Sequence, residues 1–184
     1  MKRTLGVGAL VIAGLIASQV ALAAPAVASD RAYTGRASTP IYGGAYLQAT
    51  AAQQAAWLSG STWVWSGVQA TAEWTGSTFL LKTGQSFTTT VQYWTQATLK
   101  YGASLSGGFG SGMSASAGAS SNWQLVKEPP RSLTKTNERK VQTPSSNAVV
   151  SPARDYRADT FSVQAVAKVK LSWDPWTYTT SIGT

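Results

Sequence analysis

Residues 86–125 read SFTTTVQYWTQATLKYGASLSGGFGSGMSASAGASSNWQL. From 86 to 105 the odd positions are Phe87, Thr89, Val91, Tyr93, Thr95, Ala97, Leu99, Tyr101, Ala103 and Leu105. The even positions are Ser, Thr, Gln, Lys and Gly, with Trp94 the exception. A two-residue period places one apolar and one wet face on an extended strand. Gly107, Gly108, Gly110 and Gly112 then surround Phe109, and glycine supplies the positive φ that tight turns require. Alternation resumes with Met113, Ala115, Ala117, Ala119, Trp123 and Leu125 on one side and Ser, Gly, Asn and Gln on the other. The stretch predicts one long amphipathic hairpin with Phe109 at its tip. Whether 86–105 is one strand or two joined by a bend stays open.

The same periodicity recurs outward from this stretch. Thr62–Trp74 reads as one or two strands and Phe79–Lys82 as a short one. Thr160–Trp173 alternates again, with Phe161, Val163, Ala165, Ala167, Val169, Leu171 and Trp173 on one face. Pro175 closes that strand. Tyr46–Leu58 is rich in Ala and Gln, and Leu47, Ala51, Gln54 and Leu58 predict a helix ended by Ser59-Gly60. Residues 29–45, rich in Gly, Ser, Thr and Pro, read as a flexible N-terminal arm. Residues 127–154 hold four prolines and a basic set, and read as a long loop. The expected fold is mainly β, with little helix: an antiparallel β-sandwich or elongated β-sheet, in a single β domain over 46–184.

The first 28 residues read as an address. Lys2 and Arg3 precede an apolar run from Leu5 to Ala17, and Ala26-Val27-Ala28 offers a cleavage site. The run is shorter than the roughly 20 residues a membrane-spanning helix needs. Cleavage after Ala28 is expected, with Ala23 the alternative. Removing 28 of the 184 residues leaves 156, and losing Lys2 and Arg3 lowers the formal charge from +8 to +6. The expected location is secreted, extracellular.

Composition excludes whole classes of chemistry. The chain has no His and no Cys. It cannot build a Ser-His or Cys-His nucleophile pair, a thiolate–imidazole zinc site or an iron–sulfur cluster. Only seven carboxylates are present. Asp155 and Asp159 lie beside Arg154 and Arg157, and Glu73 sits among aromatics as a candidate buried acid. No spacing nominates a glycosidase pair. The glycines at 107–112 match neither a dinucleotide fingerprint nor a phosphate loop. The expectation is a protein that is not an enzyme and uses no cofactor or metal.

The stretch Phe87 to Leu125, about a quarter of the mature chain, resembles the insertion hairpin of β-barrel pore-forming toxins of the aerolysin type. The resemblance implies a ring-shaped assembly of identical chains whose hairpins close into a membrane barrel. Closure satisfies the strand edges in lipid. On that reading Phe87, Val91, Tyr93, Leu99, Tyr101, Leu105, Phe109, Met113 and Trp123 belong to the inserting hairpin. The soluble alternative packs the same apolar face inside a sandwich.

Two further sets point to a surface. Eight tryptophans are dense for a chain of this length. Trp favours places where one end is apolar and the other wet. Trp94 stands on the polar face of its strand, and Trp173 and Trp176 flank Pro175. Lys127, Arg131, Lys135, Arg139 and Lys140 form a basic set suited to an anionic surface. The expected partners are an anionic membrane or cell-envelope surface, with a homo-oligomer implied by the pore reading. A Trp-rich binding module for a cell-wall glycan or protein partner, alone or as a subunit of a larger secreted assembly, is the second reading. No nucleic-acid-binding motif accompanies the basic set, so nucleic acid is not an expected partner.

Overall fold

A computed structural model describes residues 33–75, 81–109, 114–157 and 160–183. The expected signal peptide, Phe79, Leu80, Met113 and Asp159 lie outside the described residues. Among the described residues thirteen strands, β1 to β13 in chain order, form two antiparallel sheets. The first holds β1 (Tyr33–Pro40), β2 (Tyr46–Gln53), β3 (Ala55–Ser59), β4 (Thr62–Thr75), β6 (Ser104–Ser106), β7 (Ser114–Ser116), β10 (Lys140–Gln142) and β11 (Ser146–Ser151). The second holds β5 (Phe87–Leu99), β8 (Gln124–Lys127), β9 (Arg131–Thr136), β12 (Ser162–Leu171) and β13 (Thr177–Gly183). Two three-residue 3-10 turns, Tyr42–Gly44 and Ala153–Asp155, are the helical elements among the described residues.

The sheets face each other with β12 over β2 and β4, and β13 over β1 and β2. Between them lies one core. Its centre is built from small side chains, Ala49, Ala51, Ala70, Ala72, Ala165 and Ala167, all fully buried. Aromatic pairs fill the ends. Trp65 stacks on Phe161 with centroids 4.1 Å apart at one end, and Trp74 meets Phe87 at 4.3 Å at the other. The fold is an antiparallel β-sandwich.

The long hairpin of this molecule is residues 46–75. β2 and β3 run antiparallel to β4 in one register, from Tyr46↔Thr75 to Ser59↔Thr62. The turn is Gly60-Ser61, with Gly60 at φ +59. The register survives an irregularity at Gln54, whose N–H donates to the Ser66 carbonyl at 2.9 Å. Opposite it Gly67 takes φ +64, and a Cβ there would collide with the Gln54 side chain. Across this point the inward face changes parity: Trp65 on one side, Val68, Ala70, Ala72 and Trp74 on the other. The expected helix at 46–58 is therefore two strands. Leu47 and Ala51 belong to one phase of alternation and Ala56 to the next, and the interrupted phase imitates helical spacing.

Residues 86–125 do not form one hairpin. β5 lies in the second sheet between β12 and the β8–β9 edge. The chain then crosses to the first sheet, where β6 pairs with β11 and β7. The crossing is the turn at 100–103, closed by the Ala103 N–H on the Lys100 carbonyl at 3.0 Å, with Gly102 at φ +85. Alternation resumes in phase after the turn because both sheets bury their inner faces in the same core: Leu99 in one and Leu105 in the other are both fully buried, with Tyr101 exposed between them.

Two segments expected to be irregular also pair. Within the 29–45 arm, Tyr33–Pro40 runs against β2 over its whole length. The 127–154 loop supplies β9 to the edge of the second sheet and β10 and β11 to β4. Its prolines fall where ladders break. Pro129-Pro130 separates β8 from β9 on an edge, where a missing N–H is tolerated.

Candidate binding face

β5 and its neighbours present an outer face that no second layer covers among the described residues. Alternation dictates its composition. Because Phe87, Thr89, Val91, Thr95, Ala97 and Leu99 point into the core, Thr88, Thr90, Gln92, Trp94, Gln96 and Thr98 point out. Pairing assembles these into rows across the sheet. One row is Lys127, Gln96, Ser162; the next is Trp94, Gln164. Then come Ser132, Gln92, Val166, Ser181, followed by Thr134, Thr90, Lys168, Thr179, and by Thr136, Thr88, Lys170, Thr177.

Side chains on this face bond laterally. The Trp94 indole N–H donates to Gln96 Oε1 at 3.3 Å. Lys168 Nζ donates to Gln92 Oε1 at 3.2 Å, and the hydroxyls of Thr90 and Thr134 are 2.8 Å apart. The result is a lattice of hydroxyl and amide groups around a half-buried indole. Such groups both donate and accept, so the face can hydrogen-bond a polyhydroxylated ligand while Trp94 offers an apolar surface.

The β12–β13 loop borders this face. Asp174 organises it: its carboxylate accepts the Trp176 N–H at 2.8 Å and the Tyr178 hydroxyl at 2.6 Å. The Tyr178 hydroxyl, with the Trp176 N–H, holds the Asp174 carboxyl below its ordinary range. Lys170 Nζ donates to the Asp174 carbonyl at 2.8 Å and also to that of Pro175. The loop thus holds Trp176 72% exposed. Beneath it Phe87, Leu171, Trp173 and Lys170 line an open depression of about 490 Å³.

A second polar cluster is buried. Glu128 is 4% exposed; the Thr95 hydroxyl donates to its Oε2, and its Oε1 accepts no hydrogen bond. Desolvation pushes its carboxyl above the ordinary range, against the hydrogen bonds of Thr95 and the charge of Arg131. Gly108 packs directly on Glu128 and Thr95, where a Cβ would collide. The Ser146 hydroxyl donates to the Gly108 carbonyl, Arg131 donates to that of Phe109 at 3.0 Å, and the Phe109 ring meets Tyr93 edge-on at 4.6 Å. The turn expected as an insertion tip is thereby fastened to both sheets.

The residues nominated from sequence scatter accordingly. Phe87, Val91, Leu99 and Leu105 are core. Tyr93 and Phe109 pack against each other at its border. Tyr101 is 61% exposed at the sheet crossing, and Trp123 is exposed with the Arg157 guanidinium 5.6 Å over its ring. Trp94 lies on the outer face as its parity requires, Trp176 is exposed in the β12–β13 loop, and Trp173 packs against the core.

The basic set does not form one patch. Lys127 joins the outer face. Arg131 bonds Phe109, Lys135 pairs with Glu138 at 2.8 Å, and Lys140 with Glu73 at 3.6 Å. The Arg139 carbonyl accepts the Trp74 N–H. Glu73, a candidate buried acid, is half-exposed on the outer face of the first sheet. Sequence reasoning missed Gln92, Gln96, Gln164, Lys168 and Lys170 as site residues, although each sits at a polar position of an alternating stretch.

Among the described residues no group of three or more acidic side chains could hold a metal ion. No model of a known protein family matches the sequence, and no curated protein matches it.

Proposed function

We propose that this chain is a secreted, non-enzymatic binding module that docks a polymeric glycan of the cell envelope on the outer face of its second sheet. The observation that carries the reading is that uncovered face, with Trp94 set in a lattice of Thr, Gln and Lys side chains. Six residues of β5 separate the row of Trp94 from the row of Lys170, whose ammonium group holds the loop that carries the exposed Trp176. At the rise of an extended strand this is about 20 Å. Two indoles at that spacing suit a chain molecule better than a single sugar.

The arrangement of β5 favours this reading over membrane insertion. To line a membrane barrel, β5 would have to leave both its ten-residue ladder with β12 and its pairing with β8 and β9. Its apolar face is already removed from water by the sandwich. Burial in lipid would therefore add little of the roughly 25 cal/mol per Å² that drives insertion of exposed apolar surface.

The test is co-sedimentation of the purified protein with insoluble polysaccharides and cell-wall sacculi, alongside dye release from anionic liposomes. Saturable sedimentation is expected, weakened at least tenfold by W94A or W176A, about 1.4 kcal/mol each, with no dye release. Release without glycan binding returns the hairpin reading to first place.

A further inference from the structure

Three lysines give the outer face of the second sheet a positive charge. Lys127, Lys168 and Lys170 all project from it, and no Asp or Glu shares those strand positions among the described residues. Three cations outside this face meet carboxylates: Lys135 with Glu138, Lys140 with Glu73, Arg154 with Asp155. The outer face of the first sheet carries Glu73 beside Lys140. On the second sheet the lysines bond neutral groups instead. Lys168 donates to the Gln92 amide oxygen, and Lys170 to two backbone carbonyls. Those bonds position the ammonium groups without cancelling their charge. Asp174, in the loop beyond Lys170, bonds Tyr178 and Trp176 through its carboxylate and offsets part of the Lys170 charge, so Lys127 and Lys168 carry the selection.

Register places these cations on a diagonal. Lys127 lies on β8 in the row of Gln96, and Lys168 lies on β12 in the row of Thr90. β5 runs between them. Strands stand about 4.8 Å apart and residues rise about 3.3 Å, so the two ammonium-bearing positions are roughly 20 Å apart along the diagonal. Trp94 falls between them on β5, with Gln92 two residues on, and Lys170 lies two residues beyond Lys168 on β12.

We infer, resting on the glycan reading above, that this diagonal selects a linear anionic glycan. A sugar ring lies on Trp94, and acidic groups about 8 Å to one side and about 14 Å to the other meet Lys127 and Lys168. Charge complementarity identifies the occupant as anionic. The hydroxyl and amide lattice, with few apolar side chains besides Trp94, Val166 and Leu125, favours a glycan over a bilayer.

The experiment measures affinity of the full protein for polygalacturonate, for its methyl ester and for poly(glycerol phosphate), which carries anions but no sugar ring. Binding to polygalacturonate is expected to be at least tenfold tighter than to the ester, and that factor is expected to fall as salt rises. The double variant K127Q/K168Q, which leaves the Trp176 loop intact, is expected to lose the factor. K135Q, whose partner is Glu138, is expected to keep it. W94A is expected to weaken polygalacturonate and ester alike. Equal, salt-independent binding of ester and acid would overturn the inference and leave the glycan reading standing. No binding of either, with W94A silent on insoluble polysaccharide and sacculi, would overturn both. Poly(glycerol phosphate), anionic vesicles or single-stranded DNA bound as tightly as polygalacturonate, and unaffected by W94A, would reduce the face to a general cation surface and overturn the inference. Circular dichroism and Tm are measured for each variant, and the lysine variants are expected to fold unchanged, as exposed polar substitutions do.

Discussion

Residues 46–75 and 86–125 invert one another. The first stretch lacks a clean two-residue period and yet folds as a hairpin in continuous register around Gly60-Ser61. The second has the clean period and is divided between two sheets. Alternation reports which side chains enter a core, and a core does not record which sheet delivered them. A break in alternation, as at Gln54 and Gly67, reports a local irregularity, which leaves the ladders on either side of it in place.

The largest test of this contrast is a charge on the inner face of β5. In a sandwich, A97D buries a carboxylate at a position with no exposure, and loss of cooperative thermal unfolding is expected, a cost of at least about 4 kcal/mol. If 86–125 were an independent hairpin, the same variant would leave the Tm of the monomer unchanged. T90D on the outer face of the same strand is the control, expected to shift Tm by a few degrees at most.

A second test separates the irregularity from the turn. G67A meets both a positive φ and a collision with Gln54, and about 2–3 kcal/mol of destabilisation is expected in denaturant unfolding. G60A has the same sign of φ with open space around it, and about 1 kcal/mol is expected. Equal costs would show that the Gln54–Gly67 contact contributes nothing to the hairpin.

A third test addresses the fastening of residues 107–109. Glu128 has a folded-state pKa above its ordinary value of 4.5. A raised carboxyl pKa means that folding favours the protonated form. Its contribution is greatest at low pH and is lost as pH rises from the unfolded value through the folded one. E128Q removes the charge and keeps the shape. It is expected to stabilise the protein near neutral pH by on the order of 1 kcal/mol and to remove the loss of stability that Glu128 imposes as pH rises above 4.5. An unchanged profile would place Glu128 in water.

The smallest effect on stability is expected at Lys168, where K168Q retains a donor for Gln92 and shifts unfolding free energy by no more than about 0.5 kcal/mol. Its consequence belongs to binding.

Much of the strand content was legible because a half-buried strand must alternate: β5 and β12 follow their sequence pattern nearly residue for residue. Trp94 was legible for the same reason, as the aromatic on the wrong parity. The arm at 33–40 and the basic loop were not, because Gly, Ser, Thr and Pro mark the ends of strands as readily as they mark loops, and an edge strand needs few apolar residues. Lys168 and Lys170 could be placed on a polar face from the sequence, but their neighbours could not be named, since a register joining residues 76 positions apart leaves no local trace.

The amino-acid sequence by itself determined the β class, the absence of thiol and imidazole chemistry, and the inward or outward sense of each side chain on the long strands. Those properties depend on composition and on the geometry of a single extended chain. Only the tertiary structure decided that β5 is central, that the turn at 100–103 passes from one sheet to the other, and that Lys127, Trp94 and Lys168 share a face. Partner choice and register are set by how two sheets close over a common core, and that is a property of the whole chain.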